Sequence, residues 1–266
     1  MNNPKDHPVE LEIIFRQAST PSAKPPLIFI HGAYVAAWCW DEFFLSYFAS
    51  KGHDVYAFSL RGHGKSGGYS QAVWTSLNDY VEDLCHVVSQ IDGDPIIVGH
   101  SMGGMVLQKY LEKNSCQSAI LMASVPHEGL LGPSLSMAAL HPLSFFSFQS
   151  THYTGQNAFT PMVGQSALFH RDMHPADVQK YLSRMQSIST RAVHDMSWLS
   201  LPRKHNPHNV PMLVLAAEND ALFSINSQRA TAKANNADFD SFPDMSHAMM
   251  LEPDWQLVAD KIVEWV

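Results

Sequence analysis

Residues 94–104 read DPIIVGHSMGG, an apolar run followed by a serine between glycines. The β-branched run Asp94–Val98 is typical of a strand buried on both faces. Apolar residues then recur at helical spacing from Met102 to Lys113, which predicts a helix. The pattern G-x-S-x-G, centred on Ser101, therefore lies where a buried strand turns sharply into a helix.

This context is the one that a nucleophile elbow requires. Small residues flank the serine because its backbone is strained and its neighbours pass close to other backbone. The turn projects the Ser101 hydroxyl from the top of a sheet, beside a helix N-terminus that stabilises developing negative charge. Glycines and serines are also common in ordinary loops, so the rest of the chain has to supply the partners of this serine.

Composition limits the classes of function. A length of 266 residues with 45% hydrophobic content fits one large α/β domain with an insertion. The net charge of −8, without a basic run, argues against nucleic acid and anionic membrane surfaces as partners. No stretch approaches the roughly 20 apolar residues of a spanning helix, and the first residues lack a signal-peptide core, so we expect no membrane insertion. Cys39, Cys85 and Cys116 form no CxxC motif, and we expect a cytoplasmic location.

Strand and helix patterns alternate along most of the chain. The predicted strands are an edge strand at 9–17 and buried strands at 27–30, 54–58, 94–98, 118–123, 210–217 and 237–242. The predicted helices are 38–51, 76–91, 102–113 and 252–266. This alternation predicts an α/β fold with a mostly parallel central sheet flanked by helices.

Residues 127–209 interrupt the alternation with prolines and short apolar pieces, and two stretches, 177–188 and 190–199, have helical patterns. We expect a helical cap here, inserted into a core formed by residues 1–126 and 210–266. Seven apolar side chains of the cap are candidates to line an acyl pocket or to pack the cap onto the core, and we expect at least two of them to contact substrate. They are Phe145, Phe146, Phe148, Phe159, Met162, Leu168 and Phe169.

Two later loops carry the partners that a serine nucleophile needs. A serine hydroxyl becomes reactive when a base takes its proton, and the base needs an acid to orient it. Asp220 follows the strand 210–217, and His247 follows the last predicted strand. Both lie at carboxyl ends of parallel strands, where ligand sites of open α/β sheets form. Asp220 would orient His247, which would deprotonate Ser101 and later protonate the leaving group.

Other residues compete for these roles. Glu218 is an alternative acid, although it lies nearer the strand end, and Asp244 fits the turn chemistry of a Pro-Asp pair. His100 lies beside the elbow serine and fits a packing role. His31 and His63 fit hydrogen bonds that organise their loops better than proton transfer.

A metal site is the remaining alternative for the histidines. His170 and His174 have the i, i+4 spacing of helical zinc ligands, but Pro175 and the lack of a third ligand argue against it. The cysteines lie on no elbow and fit core packing. We therefore expect neither a metal nor another cofactor.

Four motifs, in this order, resemble the α/β-hydrolase superfamily and within it the capped esterase/lipase-like serine hydrolases. They are HGAY at 31–34, RGHGKS at 61–66, GHSMG at 99–103, and Asp220 with HAMMLEP at 247–253. The resemblance covers about residues 25–125 and 208–266. It implies an α/β-hydrolase fold with a cap.

The resemblance also implies roles for individual residues. Ser101 corresponds to the nucleophile, Asp220 to the acid and His247 to the base. The backbone N–H groups of Ala33 and Met102 correspond to the oxyanion hole, in which fixed donors stabilise the transition state by several kcal/mol.

These expectations predict a serine hydrolase that cleaves a small or medium apolar carboxylic ester through an acyl-enzyme. The same triad is compatible with a thioester, a lactone, a C–C bond or a lyase reaction on a cyanohydrin. Ala248 stands where hydroxynitrile-lyase relatives have a lysine, which disfavours that lyase, and Ser101 excludes the aspartate chemistry of haloalkane dehalogenases. Cofactor-free peroxidase activity has the same motifs as an esterase. A ligand-binding receptor that keeps a hydrolase pocket is the alternative outside enzymes.

Overall fold

The computed structural model describes residues 9–20, 22–154, 159–203 and 205–266. Seven strands form the central sheet: β1 (Ile13–Arg16), β2 (Leu27–Ile30), β3 (Val55–Phe58), β4 (Ile96–His100), β5 (Ser118–Met122), β6 (Met212–Ala217) and β7 (Asp238–Phe242). Their order across the sheet is β1-β3-β2-β4-β5-β6-β7. β1 is antiparallel to β3, and every other pair is parallel. The predicted α/β fold with a mostly parallel sheet is confirmed.

Eleven α-helices surround this sheet in the described part of the chain. They are α1 (Trp38–Asp41), α2 (Phe44–Ser50), α3 (Leu77–Val88), α4 (Met102–Tyr110), α5 (Leu131–Leu140), α6 (Pro142–Thr154), α7 (Pro161–Leu168), α8 (Pro175–Leu182), α9 (Thr190–His194), α10 (Ile225–Asn235) and α11 (Trp255–Trp265). A 3-10 helix spans Tyr69–Trp74, and a π-helical turn spans Asp195–Leu199. None of the described helices is both long and apolar enough to cross a membrane.

The two faces of the sheet carry separate hydrophobic clusters. β2 and β4 are buried along their whole length, as the apolar runs predict. Because side chains of a strand alternate, Leu27 and Phe29 pack into one cluster, and Ile28 and Ile30 pack into the other. The carboxyl end of β4 is thereby held at the centre of the sheet, between two packed layers.

The region predicted as one helix at 38–51 is two helices. The helix is interrupted at Phe43, whose backbone has a non-helical φ of −142°. The Phe43 ring stacks on Trp255 of α11 at 5.1 Å, and the preceding Glu42 pairs with Lys180 of α8. These tertiary contacts favour the break over a continuous helix.

The described residues of the insertion between β5 and β6 form five α-helices, α5 to α9. The helical patterns at 177–188 and 190–199 correspond to α8 and to α9 with its π-helical turn. The remaining three helices, and α10 after β6, had no clear helical period in the sequence. The helical character expected of this insertion is confirmed, with more helices than the pattern predicted.

Candidate active site

The elbow at the end of β4 places Ser101 in a strained backbone conformation. Its φ of 52° and ψ of −117° lie outside the regions that a side chain ordinarily adopts. The neighbouring glycines make this possible, because a Cβ built on Gly99 would lie 2.5 Å from the carbonyl oxygen of Gly103. The serine N–H donates to the Met122 carbonyl at 3.1 Å, which fixes the turn to β5. This conformation exposes the serine hydroxyl to the cavity under the insertion.

Ser101, His247 and Asp220 form a continuous chain of hydrogen bonds. The Ser101 Oγ lies 3.1 Å from Nε2 of His247, and Nδ1 of that ring lies 2.8 Å from Asp220 Oδ2. The other carboxylate oxygen accepts the N–H groups of Leu222 and Phe223 at 2.7 and 3.1 Å. The carboxylate is therefore held in place independently of the histidine.

The two rival carboxylates lie elsewhere. Glu218 Oε1 accepts a hydrogen bond from the hydroxyl of Ser241 at 2.8 Å on the exposed surface. Asp244 lies exposed in the turn after β7, as its Pro-Asp context predicts. Neither carboxylate hydrogen-bonds to His247 within the described structure.

The loop after β2 approaches the elbow closely. A Cβ built on Gly32 would lie 2.9 Å from the Cβ of Ser101, so only glycine allows this approach. The next residue, Ala33, lines the same cavities as Ser101, and one of them also reaches Met102. In the described residues, the backbone N–H groups of Ala33 and Met102 have no hydrogen-bond acceptor. Two uncommitted amide donors thus flank the serine.

The histidine beside the nucleophile has a role that sequence reasoning missed. His100 Nε2 donates to the backbone carbonyl of His247 at 2.9 Å, and the two rings lie 4.8 Å apart. Burial lowers the pKa of His100 well below its ordinary value, with a smaller contribution from the neighbouring His247. The neutral ring is therefore a fixed donor that positions the loop of His247. Packing alone was expected at this position.

His31 and His63 organise the loops that precede the site, as predicted. His31 Nδ1 donates to the Gly32 carbonyl at 2.7 Å, and its Nε2 accepts the N–H of Leu60 at 3.0 Å. The ring therefore ties the end of β2 to the end of β3. His63 Nδ1 donates to the carbonyl of Arg61. Burial lowers the pKa of His31 to about 3 and that of His63 to about 4, so both rings stay neutral.

Two apolar cavities meet at Ser101. The smaller, of about 50 Å³, is lined by Ala33, Tyr34, Val35, Trp38, His100, Ser101, Phe148, Leu168, Phe169, Tyr181, Met185, Leu222, His247, Ala248, Met250 and Leu251. The larger, of about 110 Å³, is lined by Ala33, Tyr34, Ser101, Met102, Val125, Leu130, Pro133, Ser134, Met137, Phe145, Phe148, Gln149, Ile188, Val193, Met196, Leu222 and Phe223. Helices of the insertion therefore supply much of both walls.

The candidate pocket residues of the insertion divide into two groups. Phe145, Phe148, Leu168 and Phe169 line the cavities, and Phe159 packs its ring on Phe148 at 4.7 Å. Two of the predicted candidates, Phe146 and Met162, line neither cavity. Their side chains are 68% and 75% exposed. Neither of these two candidates lines a cavity at Ser101, because each lies on the outer side of its helix.

The insertion is fastened to the loop that follows β2. The backbone N–H of Gln186 donates to the Tyr34 carbonyl at 2.9 Å. Its side-chain amide donates to the Gly62 carbonyl at 2.8 Å and accepts the N–H of Gly64 at 2.9 Å. One glutamine thus joins the insertion to the glycine-rich loop 61–68 and to the residue after Ala33.

Two further hydrogen bonds join the insertion to the loop of His247. The N–H of Ala248 donates to the Leu168 carbonyl at 2.9 Å, and the N–H of His170 donates to Glu252 Oε1 at 2.8 Å. Burial raises the pKa of Glu252 to about 8. The walls of the cavities and the histidine loop are therefore hydrogen-bonded to each other directly.

The histidines considered as metal ligands hydrogen-bond to nearby backbone, and the three cysteines are free thiols. The Nδ1 atoms of His170 and His174 accept the backbone N–H groups two residues ahead, at 3.2 Å each. No cluster of three or more metal-ligating side chains occurs in the described residues. Cys39 and Cys116 are buried free thiols, and Cys85 is partly buried.

Comparisons with known proteins agree with this geometry. The model of the alpha/beta hydrolase family matches residues 27–261. A monoacylglycerol lipase of Mycolicibacterium smegmatis is 22% identical over 236 residues, covering 82% of this chain and 80% of the lipase. An esterase from Exiguobacterium antarcticum has a TM-score of 0.73 at 16% identity, covering 97% of this chain and 95% of the esterase. A monoacylglycerol lipase from Paleococcus ferrophilus has a TM-score of 0.71 at 18% identity, covering 96% and 98%. The chain belongs to the alpha/beta hydrolase family.

Proposed function

We propose that the protein is a serine hydrolase that cleaves apolar carboxylic esters of small or medium size through an acyl-enzyme. The observation that carries this proposal is the hydrogen-bonded chain from Ser101 through His247 to Asp220 at the meeting point of two apolar cavities. The esterases and lipases to which the chain is similar support an ester as the substrate.

The proposed chemistry begins with attack of Ser101 Oγ on the ester carbonyl carbon, while its proton moves to Nε2 of His247. Negative charge develops on the carbonyl oxygen, which the free N–H groups of Ala33 and Met102 would stabilise. The intermediate collapses when the imidazolium protonates the departing alcohol. Water then attacks the acyl-enzyme with His247 as base again. The bond from the acyl carbon to Ser101 Oγ breaks as the imidazolium returns the proton to Oγ, and the carboxylic acid leaves. Asp220 stabilises the imidazolium in both steps.

The two cavities favour an apolar substrate that extends into both of them, with its ester bond at Ser101. Their walls are mainly aliphatic and aromatic, and none of the Asp, Glu, Lys or Arg side chains that the structure describes lines either one. An anionic acyl group would lose its hydration there without a counter-charge, which is costly.

We further propose that residues 127–209 form the cap of a core made of 1–126 and 210–266. We also propose a cytoplasmic location, because free thiols are typical of a reducing compartment.

The test combines turnover with covalent labelling. The purified chain should hydrolyse p-nitrophenyl esters and should react with a fluorophosphonate probe, and Ser101→Ala should abolish both. The matched control is Ser246→Ala, because Ser246 is a buried serine beside His247 without a part in the proposed chemistry. Wild-type protein that neither labels nor turns over any ester of the series would refute the proposal and favour a receptor. Activity retained in Ser101→Ala would place the nucleophile elsewhere.

A further inference from the structure

An open groove of about 500 Å³ lies outside the two apolar cavities that meet at the nucleophile. Six of its eight lining residues are polar, so it differs in chemistry from those cavities, and we call it the polar groove. Its lining runs from the insertion to the loops that follow β6 and β7. Asn219 and Ser246 line it from these loops, directly before Asp220 and His247. A ligand in the polar groove would therefore contact both loops that hold the candidate acid and base.

Arg171 gives the polar groove a positive charge that no described acidic side chain neutralises. Its guanidinium forms no ion pair with the residues that the structure describes, although the chain has 25 acidic residues and only 17 basic ones. The neighbouring Asp172 faces His170 instead, with 3.7 Å between its carboxylate and Nδ1 of the ring. No described Asp or Glu lines the groove. Because a guanidinium binds carboxylates and phosphates through paired N–H donors, Arg171 provides a site for such a group.

Ser246 is a second hydrogen-bonding group in the polar groove that lacks a partner. The residue is only 6% exposed, and its hydroxyl makes no hydrogen bond within the described part of the chain. A buried hydroxyl without a partner is unfavourable, so such groups usually find one. Ser246 lines the groove, and a ligand bound there is the partner that its hydroxyl can reach.

The loop that carries Arg171 and the facing wall are both held in place. Gln165 Nε2 donates to the Arg171 carbonyl at 2.7 Å, which ties the loop to α7. The residue before Arg171 donates its N–H to Glu252 Oε1 at 2.8 Å. On the facing wall, the N–H of Asn219 donates to the Met245 carbonyl at 3.0 Å. The site is therefore formed before any ligand binds, which lowers the entropic cost of binding.

We infer that the polar groove binds a small organic anion, with its charged group on Arg171 and Ser246 and its apolar part on Met162. Met162 lines the same groove and is 75% exposed, so it offers an apolar contact beside the charge. Carboxylates and phosphate monoesters share this chemistry. A neutral molecule would leave the guanidinium without a counter-charge. The groove is separate from the cavities at the nucleophile, so this inference does not depend on ester hydrolysis.

Thermal melts of the full chain test the inference, because a ligand that binds the folded state raises the melting temperature. Butyrate and butyl phosphate are compared with butanol at equal ionic strength. An anion that binds should raise Tm by about 2–4 °C once its concentration exceeds Kd about tenfold, whereas butanol should leave Tm unchanged. A rise with butyrate alone assigns a carboxylate to the groove, and a rise with butyl phosphate alone assigns a phosphate.

Substitutions at the groove locate the bound anion. Arg171→Gln should remove the rise in Tm, and Arg171→Lys should retain part of it because the charge is kept. The matched control is Arg203→Gln, which removes the same charge from an exposed arginine outside the groove and should keep the wild-type rise. Ser246→Ala should weaken binding by about tenfold, through the loss of one hydrogen bond to a charged group. Melts without ligand show whether each variant folds.

Four outcomes would overturn the inference. They are the absence of a rise with either anion, an equal rise with butanol, a loss of the rise in Arg203→Gln as large as in Arg171→Gln, and an unchanged rise in a folded Arg171→Gln. The last outcome would place the anion elsewhere, for example in the cavities at Ser101. Anion binding by a protein that hydrolyses no ester would instead refute the proposed function alone.

Discussion

Replacing Asp220 by asparagine probes the proposed triad, because the substitution keeps the shape of the side chain and removes its charge. In the wild type, Oδ1 accepts the N–H groups of Leu222 and Phe223, and Oδ2 faces Nδ1 of His247 at 2.8 Å. Asparagine has one oxygen in place of two. It can therefore serve the two backbone amides or the histidine, and not both.

The energies favour the backbone amides. Leaving two partly buried N–H groups without an acceptor costs on the order of 2–6 kcal/mol at most, so the asparagine oxygen should stay with Leu222 and Phe223. Its NH₂ group then faces Nδ1 of His247 and can only donate, which places the ring proton on Nε2. That tautomer has no lone pair for the proton of Ser101. We expect kcat to fall by about 10⁴, or about 5 kcal/mol, with little change in KM.

The assay is steady-state hydrolysis of p-nitrophenyl butyrate, with circular dichroism to confirm folding. Glu218→Gln is the matched control, because Glu218 follows the same strand and its carboxylate accepts a hydrogen bond from the hydroxyl of Ser241 on the surface. This control should keep wild-type kcat. A kcat loss of less than about tenfold in Asp220→Asn, or an equal loss in Glu218→Gln, would refute the reasoning.

Three further substitutions test the support around the site. Gly99→Ala should lower the free energy of unfolding by at least about 2 kcal/mol in chemical denaturation, because its methyl group would overlap backbone atoms. The control Gly132→Ala, whose methyl group would meet no atom within 4 Å, should leave the free energy of unfolding unchanged or raise it by about 0.5 kcal/mol. Equal effects of the two substitutions would refute the role of the elbow. Gln186→Ala should lower the free energy of unfolding by about 1–3 kcal/mol in the same assay, because it leaves two backbone groups of loop 61–68 without their hydrogen-bond partner. An unchanged denaturation midpoint would contradict this. Burial raises the pKa of Glu252 to about 8, so the folded state binds an extra proton and wild-type stability should fall as pH rises toward 8. Glu252→Gln should flatten this slope in thermal melts, and an unchanged slope would assign it to other groups.

The sequence predicts the sheet well because buried parallel strands are continuous apolar runs that few other structures tolerate. The runs at β2 and β4 are buried throughout, and a proline, Pro26 or Pro95, comes directly before each of them. The break at Phe43 is different, since local periodicity favours one helix there. Contacts with Trp255 and Lys180, far along the chain, decide the outcome. No local pattern encodes such contacts.

Three helices of the insertion, α5 to α7, have no clear helical pattern in the sequence for a physical reason. On α6, Phe145 and Phe148 face the cavity while Leu143 and Phe146 face outward, so apolar residues occupy both sides. A helix that is apolar on both sides has no clear period of 3.6 residues. The same feature explains why the sequence makes Phe146 a candidate for the pocket although it lies outside it. Composition identifies a residue as apolar, and only the packing of the helix decides which side it occupies.

The positioning role of His100 is not visible in the sequence, because it depends on a contact with a distant part of the chain. Its neighbour Ser101 was recognisable because the elbow motif is local, whereas the acceptor of the His100 proton is the carbonyl of His247, on a distant loop. Two loops that flank the serine thus have separate supports: His31 ties the loop of Ala33 to β3, and His100 holds the loop of His247. Both rings are neutral and buried, so neither support changes charge when the base of the proposed triad takes up a proton. Because fixed neutral dipoles need no reorganisation during proton transfer, this arrangement favours a site whose geometry persists through the whole reaction cycle.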